Sequence, residues 1–202
     1  PPPPFRFYDQ EEYARLGKEA GKLDPRIQLM VLLGGDAGLR CGEMVALEWT
    51  DIDFKRGTLT VLRSESKGHL TAPKNGRHRT LELTHALFEA LRAQRGIAGR
   101  VFYRDDDEQA RYRTLARWLR RAQRAAGLDV NGALHILRHT FCSRLAMLGA
   151  STLSIQELAG HANISTTEKY MHLSPRSRSL AIALLNEPAH GTGVAPKAVE
   201  TS

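Results

Sequence analysis

The sequence predicts an α+β fold that is mainly α-helical, with a small three-stranded antiparallel sheet in its N-terminal half. Apolar residues recur at helical spacing along most of the chain, and side chains that cap helices precede several of these segments. Between residues 58 and 83 the pattern instead alternates with period two, as in half-buried strands. With 202 residues, 42% hydrophobic and 25% charged, the chain has the composition of a globular protein that buries a core.

The N-terminal helices have clear start signals. Asp9 followed by Glu12 forms a capping-box pattern, which predicts a first helix to about residue 20. Asp24 followed by proline predicts the start of a second helix, which should end at the glycines between residues 34 and 38. Apolar side chains at helical spacing predict a further short helix over residues 41–49.

The sheet is predicted from three short segments. Residues 58–62 and 79–83 alternate apolar and polar side chains, and residues 69–72 form a short middle strand between them. The dipeptide Asn75-Gly76 is typical of a tight hairpin turn.

Helical patterns continue through the rest of the chain. Thr84 is a helix N-cap, and Ser165 with Glu168 forms another capping-box pattern. One of these segments is strongly amphipathic, with an apolar face and an arginine face. The helices are predicted over residues 84–96, 109–126, 134–148 and 154–159, from Ser165 onward, and over the apolar residues 180–185.

The chain is basic, and its charge is concentrated in two blocks. It carries 29 Lys+Arg against 22 Asp+Glu, a net charge of +7. Such blocks attract phosphate backbones, so nucleic acid is the first partner to consider, although a solvated helix face gives the same pattern. The first block comprises Arg63, Lys67, Lys74, Arg77 and Arg79, and the second comprises Arg111, Arg113, Arg117, Arg120, Arg121 and Arg124.

Several classes of protein are not expected. No apolar run is long enough to span a bilayer, and the first residues lack the features of a signal peptide. Cys41 and Cys142 are too few for a disulfide framework and form no CxxC pair, so both are expected to be free thiols. These observations predict a soluble, cytoplasmic protein with no membrane partner. The chain does not begin with methionine, which predicts that it is part of a longer protein.

The residues that could take part in a chemical reaction are two arginines, two histidines and a tyrosine. His135 and Arg138 are three residues apart and therefore share one face of a helix, while Arg40, His161 and Tyr170 come from other segments. Two guanidinium groups can neutralise a phosphodiester and the extra charge of its transition state. A tyrosine hydroxyl can attack phosphorus if a neighbouring group accepts its proton. The set therefore predicts phosphoryl transfer.

Other histidines have alternative interpretations. His135 and His139 have the spacing of zinc ligands, but no glutamate general base lies between them and Arg138 would place a cation beside the metal. We therefore interpret His139 as a structural residue. His172 is a candidate for a supporting position near Tyr170.

Four segments together resemble the catalytic domain of the tyrosine recombinase (phage integrase) family. Residues 37–44 (AGLRCGEM) resemble its first arginine box, and residues 135–140 (HILRHT) resemble its second box. Residues 158–161 (LAGH) and 166–172 (TTEKYMH) are similar to the segments that supply the later histidine and the nucleophile. Ile136 stands where the family usually has aspartate, and Ala159 where it usually has glycine.

The resemblance implies a site-specific recombinase that cleaves and rejoins DNA through a 3′-phosphotyrosine intermediate, without metal, ATP or other cofactor. Tyr170 is the implied nucleophile, His135 its proton acceptor, and Lys74 the proton donor to the leaving oxygen. Lys67, in the same hairpin region, is interpreted as a solvated lysine. The implied catalytic residues are Arg40, Lys74, His135, Arg138, His161 and Tyr170, with Glu43 in support.

The resemblance also predicts domains and partners. Residues 1–186 are expected to form the catalytic domain and residues 187–202 a disordered tail, with the N-terminal core-binding domain of the family absent. Double-stranded DNA is the expected partner, and residues 180–185 are expected either to hold a tetramer together on paired sites or to cover their own core. The candidate DNA contacts are Arg77, Arg79, Arg117 and Arg121.

Two other functions remain open from the sequence. A type IB topoisomerase-like enzyme uses the same chemistry but rejoins the same DNA ends. A DNA-binding module that has lost catalysis would keep the basic surface alone.

Overall fold

The computed structural model describes residues 5–66, 68–71, 78–104 and 108–174. In this part of the chain, helices predominate and the strands form two small antiparallel sheets, so the predicted α+β class with mainly α-helical content is confirmed. The helices are α1 (Gln10–Leu23), α2 (Pro25–Gly35), α3 (Cys41–Ala46), α4 (His85–Ala93), α5 (Tyr112–Ala125), α6 (His135–Met147), α7 (Thr152–Ala159) and α8 (Ile164–Met171). The strands are β1 (Ile52–Asp53), β2 (Thr58–Val61), β3 (Ser64–Ser66), β4 (His69–Thr71) and β5 (Arg79–Glu82), and a 3₁₀ turn covers Trp49–Asp51.

The first two helices begin at the predicted caps. The Asp9 carboxylate accepts a hydrogen bond from the Glu12 amide, and the Glu12 carboxylate accepts one from the Asp9 amide. The Asp24 carboxylate accepts a hydrogen bond from the Arg26 amide at 2.8 Å, with proline in the next position. Each cap satisfies amides that the helix cannot bond internally.

Helix α2 is the centre of the main hydrophobic core. Its residues from Leu29 to Leu33 are buried without a polar face, and it packs against α1, α4, α5 and α6. A helix that is apolar on all sides must be enclosed by others, because each large apolar side chain gains about 1.5–3 kcal/mol from burial. This core fixes α3 and α6, which carry the two predicted arginine boxes.

The sheet differs from the prediction in its third strand. Its order is β1-β2-β5, and β2 pairs with β5 in antiparallel register, with Leu59 opposite Leu81. The predicted middle strand, β4, lies in a separate two-stranded ribbon with β3. Strand β1 has two residues, too few to show alternation, and β3 is entirely polar. Neither strand therefore carries a periodic apolar signal.

Three helix starts also differ from the prediction. Helix α5 begins at Tyr112 rather than 109, because Gln109 instead forms a β-bridge with Tyr103. Helix α7 begins after the Ser151 cap, earlier than the predicted residue 154. Helix α8 begins at Ile164, so the predicted cap residue Ser165 lies inside its first turn.

The segment before α1 is anchored over the C-terminal helices. The Tyr8 amide donates a hydrogen bond to Thr140 Oγ1 at 2.9 Å, and Gln123 donates one to the Tyr8 hydroxyl at 2.8 Å. Phe5 packs against a second, smaller core of α6, α7 and α8 that includes Phe141 and Tyr170. The start of the described chain thus lies against the helices of the nucleophile segment.

Several predictions fall outside the described residues. They concern Lys67, Lys74, Arg77, the Asn75-Gly76 turn, the apolar residues 180–185 and the tail 187–202. Among the helices that the structure does describe, none is long and apolar enough to cross a membrane.

Candidate active site

One face of α6 supplies most of the candidate site. His135, Arg138, His139 and Cys142 follow the spacing i, i+3, i+4, i+7 and therefore project in one direction. Helices α7 and α8 pack against α6. Tyr170, near the end of α8, is thereby brought to the face of α6 that carries these side chains.

The first arginine box is held by a buried carboxylate. Arg40 immediately precedes α3, and its Nη1 donates a hydrogen bond to Glu43 Oε1 at 2.9 Å. Its Nη2 donates another to the Gly160 carbonyl at the end of α7, at 2.7 Å. Arg40 therefore joins the start of α3 to the segment that carries His161.

Arg79 completes this ionic cluster. Its Nη1 and Nη2 donate to the two oxygens of Glu43 at 3.0 and 2.7 Å, a bidentate geometry that favours strong pairing. Its Nε donates to the Leu158 carbonyl at 3.0 Å. Burial raises the pKa of the Glu43 carboxyl, but hydrogen bonds and charges from Arg79 and Arg40 outweigh this effect and lower that pKa to about 2. Glu43 is therefore ionised at neutral pH.

Arg138 lies deeper than Arg40. Its Nη1 donates a hydrogen bond to the Gly38 carbonyl at 2.6 Å, whereas its buried Nη2 has no hydrogen-bond partner among the described residues. Gly38 has a φ of 63°, and a Cβ there would lie 2.4 Å from the Phe141 ring. Burial, and then the charge of Arg40, lower the pKa of the Arg138 guanidinium to about 10. An anion between Arg40 and Arg138 would relieve this repulsion and satisfy the free donor.

Tyr170 is enclosed by neutral groups. Its side chain is 3% exposed, and its hydroxyl lies 2.7 Å from His139 Nδ1. The Phe5 ring packs against both Tyr170 and His139, with centroid distances of 4.6 and 4.8 Å. Burial, with a smaller contribution from the Cys142 thiol, raises the pKa of Tyr170 well above its usual value. The tyrosine is therefore protonated in the free protein.

His161 lies beside the nucleophile candidate Tyr170. Its ring is stacked parallel to that of Tyr170, with a centroid distance of 6.3 Å, and its Nδ1 lies 2.8 Å from Thr167 Oγ1. Burial and the charges of Arg138, Arg40 and Arg79 lower its pKa to about 3. The ring is therefore neutral at pH 7 and lies within the field of all three arginines.

His135 is exposed at the start of α6 and lines a cavity of about 960 Å³ together with Arg40. Partial desolvation of the imidazole, and then the charges of Arg138 and Arg40, lower the pKa of His135. The cavity extends to the start of α5, where Arg111, Tyr112 and Arg113 form part of its wall. A phosphate near Arg40 would therefore lie next to further positive charge.

The candidate DNA contacts are placed differently from one another. Arg117 and Arg121 lie exposed on the polar face of α5, as predicted from its amphipathic pattern. Arg79 is instead committed to Glu43, and its side chain is 11% exposed. Lys74 and Arg77 lie outside the described residues.

The structure thus brings together Arg40, Glu43, Arg138, His161 and Tyr170, with His135 at the rim. Two features were missed by sequence reasoning: the contact of His139 with the tyrosine, and the role of Arg79 as a partner of Glu43. His139 shares its helical face with Arg138, and that spacing was the available signal. Arg79 carried no such signal, because its partner is 36 residues away.

Within the described parts of the chain, no three histidine, cysteine, aspartate or glutamate side chains are grouped so that they could hold a metal ion. The cavity is lined by both arginine and glutamate side chains, among them Arg40, Arg111, Glu43 and Glu65.

Comparison with known proteins finds curated relatives among the tyrosine recombinases. The chain is 31% identical to tyrosine recombinase XerA of Pyrococcus furiosus over 184 residues, covering 88% of this chain and 60% of that protein. It is 28% identical to a tyrosine recombinase XerC-like protein of Caldanaerobacter subterraneus subsp. tengcongensis, covering 89% of this chain and 54% of that protein. The chain therefore spans only part of the length of these relatives.

Solved structures share the fold. The catalytic domain of bacteriophage HP1 integrase superposes with a TM-score of 0.68 at 23% identity, covering 92% of this chain and 99% of that domain. The Tn1549 transposon integrase, in complex with a circular intermediate DNA, superposes with a TM-score of 0.71 at 21% identity, covering 92% of this chain and 66% of that protein. The model of the phage integrase family matches residues 6–177, and the chain belongs to that family.

Proposed function

We propose that this chain is the catalytic part of a site-specific DNA recombinase that cuts and rejoins strands through a covalent bond between Tyr170 and a DNA 3′-phosphate. The observation that carries the proposal is the placement of Tyr170 beside His161 and two converging arginines, one of which, Arg138, has a buried donor without a partner. A phosphodiester is the ligand that this donor set fits, since paired guanidinium groups match its oxygens.

In the proposed reaction, Arg40 and Arg138 hold the nonbridging oxygens of the phosphate and neutralise the charge that grows in the transition state. Donors that are already in place need no reorganisation when the charge develops. Glu43 and Arg79 keep Arg40 in position, since Glu43 pairs with both guanidinium groups. His161, neutral and next to the tyrosine, is proposed to donate a hydrogen bond to the phosphate.

Tyr170 attacks the phosphorus, and the 5′-oxygen leaves with a proton that we assign to Lys74, following the family resemblance. A histidine of α6 takes the tyrosine proton; His135, the residue predicted from the sequence, faces the cavity beside Arg40. Attack by the 5′-hydroxyl of another cut strand reverses these steps and joins new ends. The ester conserves the energy of the broken bond, so the proposed reaction needs no ATP.

The proposed partner is double-stranded DNA, supported by the arginines at the cavity wall near the start of α5 and by those on the polar face of α5. Exchange between two duplexes requires several protomers, and we propose that the chain assembles as a tetramer on paired sites. Residues 180–185 remain the proposed contact between protomers. The Tn1549 integrase, which shares the fold, was solved as a DNA complex.

The first experiment tests covalent chemistry. The chain is incubated with a pool of duplexes in which one 5′-bridging phosphorothiolate is flanked by randomised base pairs, and adducts are detected by denaturing electrophoresis. We expect an adduct with the wild-type chain and none with Tyr170→Phe. Tyr103→Phe, which removes a partly exposed hydroxyl elsewhere, is the matched control and should form the adduct. An adduct that persists in Tyr170→Phe would refute the assignment of the nucleophile.

The second experiment separates recombination from relaxation. Supercoiled plasmids are incubated with the chain, with and without a second plasmid that carries a site selected from the adduct pool. Strand exchange between the plasmids supports a recombinase. Efficient relaxation of any plasmid with no exchange supports a topoisomerase-like enzyme instead, and binding without either product supports an inactive module.

A further inference from the structure

His139 lies within hydrogen-bond distance of the tyrosine hydroxyl. The distance from His139 Nδ1 to Tyr170 Oη is 2.7 Å, which is the range expected for proton transfer between a base and a nucleophile. The resemblance to the family suggested His135 for this role, but His135 lies one helical turn earlier and lines the cavity beside Arg40. His139 therefore faces the tyrosine hydroxyl, whereas His135 faces the cavity beside Arg40.

The protonation states allow the tyrosine to be the donor in this hydrogen bond. Burial raises the pKa of Tyr170, so its hydroxyl carries a proton that it can donate. Burial, followed by the charges of His135, Arg138 and Lys169, lowers the pKa of His139 to about 4. At neutral pH His139 is thus uncharged and carries one ring hydrogen. We assign that hydrogen to Nε2, which leaves Nδ1 unprotonated and facing the tyrosine.

Packing holds the imidazole in this orientation. The Phe5 ring is stacked on His139 at a centroid distance of 4.8 Å and an interplanar angle of 17°. Phe5 also contacts the Tyr170 ring. An aromatic side chain over both rings restricts rotation of the imidazole and excludes water that would compete for Nδ1.

We infer that His139 is the proton acceptor of Tyr170 in the cleavage step, an assignment that rests on the proposed function. The Tyr170 proton passes to His139 Nδ1 as the bond between Oη and phosphorus forms. The bond between phosphorus and the 5′-oxygen breaks, and the leaving oxygen takes its electron pair and a proton from the general acid assigned to Lys74. Rejoining returns the proton from His139 to the tyrosine.

The substrate itself would strengthen this base. The groups that face His139 are His135 and Arg138 from α6, His161 from the segment after α7, and Lys169 and Tyr170 from α8. The charges among them oppose a positive imidazole. A DNA phosphate held by Arg138 offsets that positive charge, and so favours protonation of His139. His139 therefore becomes a competent base when DNA is bound and remains neutral when it is not.

The first arm of the test uses the free chain. Nitrogen NMR of labelled histidines reports which ring nitrogen of His139 carries hydrogen. We expect an unprotonated Nδ1 that accepts a hydrogen bond, with a resonance that shifts in Tyr170→Phe. A neutral ring protonated on Nδ1 would overturn the inference, and this arm remains informative if a His139 variant fails to fold.

The second arm measures adduct formation with the phosphorothiolate pool. Its sulfur leaving group needs no general acid, so the rate reports the attack of the tyrosine. We expect His139→Ala to slow adduct formation about 100-fold or more, and His139→Gln to do the same, because glutamine can hold the hydroxyl but cannot take its proton. Added imidazole should restore at least part of the His139→Ala rate. His85→Ala, at an exposed position on α4, is the matched control.

The outcomes distinguish the two proposals. Absence of adduct with the wild-type chain contradicts the proposed function, and with it the assignment of His139. Adduct formation in His139→Gln within about threefold of wild type overturns the assignment of His139 alone. Rescue by imidazole in His135→Ala but not in His139→Ala overturns it as well, and assigns the proton to His135.

Discussion

The two halves of the candidate site are built by different interactions. The arginine side, defined as Arg40, Glu43, Arg79 and Arg138, is ionic and is held by short bonds to a buried carboxylate and to main-chain carbonyls. The nucleophile side, defined as Phe5, His139, His161 and Tyr170, is neutral and is held by stacked rings and one short hydrogen bond.

This difference matches the charge that each half must handle. The arginine side faces a group that is anionic before and during reaction, so its charges are useful from the start. The nucleophile side must release one proton and take it back, which requires a neutral hydroxyl and an uncharged base. Because Tyr170 remains protonated, it carries no negative charge that would neutralise the arginines in place of the phosphate.

The largest effect is expected from Glu43→Gln, which removes the charge that the arginine side is built around. Glu43 is 2% exposed, and its loss leaves Arg40 and Arg79 repelling each other in a buried position. Breaking such a buried pair costs about 3–5 kcal/mol. Urea denaturation followed by circular dichroism measures the change in unfolding free energy.

The control for that variant is Glu89→Gln, which removes an exposed ion pair with Arg92 on α4. We expect a loss of less than about 1 kcal/mol there. A loss of that small size in Glu43→Gln would contradict the view that the arginine side is held together by this carboxylate.

Arg138→Lys comes next and tests catalysis rather than stability. In Arg138, one guanidinium nitrogen bonds the Gly38 carbonyl and the other, Nη2, is free for a ligand. Lysine keeps the positive charge but cannot make both interactions. We expect adduct formation to fall about 10²–10³-fold, the range seen when one donor to a developing charge is removed. Arg92→Lys is the matched control and should retain the wild-type rate. An unchanged rate in Arg138→Lys would show that charge alone is sufficient.

A smaller effect is expected from pH on the nucleophile side. His139 and His161 have folded-state pKa values of about 4 and 3, below the usual 6.5, so the unfolded chain binds protons that the folded chain does not. The unfolding free energy should therefore fall as the pH is lowered from about 6.5 toward 4. Glu43, whose pKa is lowered from 4.5 to about 2, adds its own loss only at lower pH.

The matched variants for this prediction are His161→Gln and His85→Gln. The first should make the fall in stability over that pH range less steep, because one of the half-buried histidines with a lowered pKa no longer titrates. The second, at an exposed position, should leave it unchanged. Equal slopes in all three proteins would mean that the rings are already charged in the fold.

The smallest effects are expected on the polar face of α5. Arg117→Gln and Arg121→Gln should each weaken DNA binding a few-fold and reduce the slope of log affinity against log salt by about 0.9. Fluorescence anisotropy with random-sequence duplex DNA measures both quantities. Arg56→Gln, on an exposed turn, is the control. Slopes identical to wild type would remove α5 from the proposed DNA surface.

Local signals in the sequence predicted most of the fold. The caps at Asp9 and Asp24 act through residues within one helical turn, so their patterns are readable from a short window. Strand β3 and the two-residue β1 carry no periodicity of their own and form only because partner strands are available. The start of α8 was also predicted at the wrong residue. Serine is a residue type that often caps helices, but Asn163, and not Ser165, occupies the N-cap position.

The site was predictable in its members but not in all of its contacts. Motifs identified Arg40, Arg138, His161 and Tyr170, because each motif is a short string of residues. The contact between His139 and Tyr170 joins residues 31 apart, and its existence depends on how α8 packs on α6. Whether Arg79 faces DNA or Glu43 likewise depends on the register of β5 against β2, which a sequence pattern does not specify.

The bonds from Arg40 and Arg79 to the end of α7 have a consequence for how the chain assembles. The carbonyls at Leu158 and Gly160 receive their hydrogen bonds from these two guanidinium groups. Arg40 and Arg79, which we assign to the phosphate site and its support, thus also cap the C-terminus of α7. Their positive charge lies at the negative end of the helix dipole, which is a favourable arrangement. Helix α7 is therefore held in part by the first arginine box, and because α8 packs against α7, the position of Tyr170 is coupled to that of Arg40.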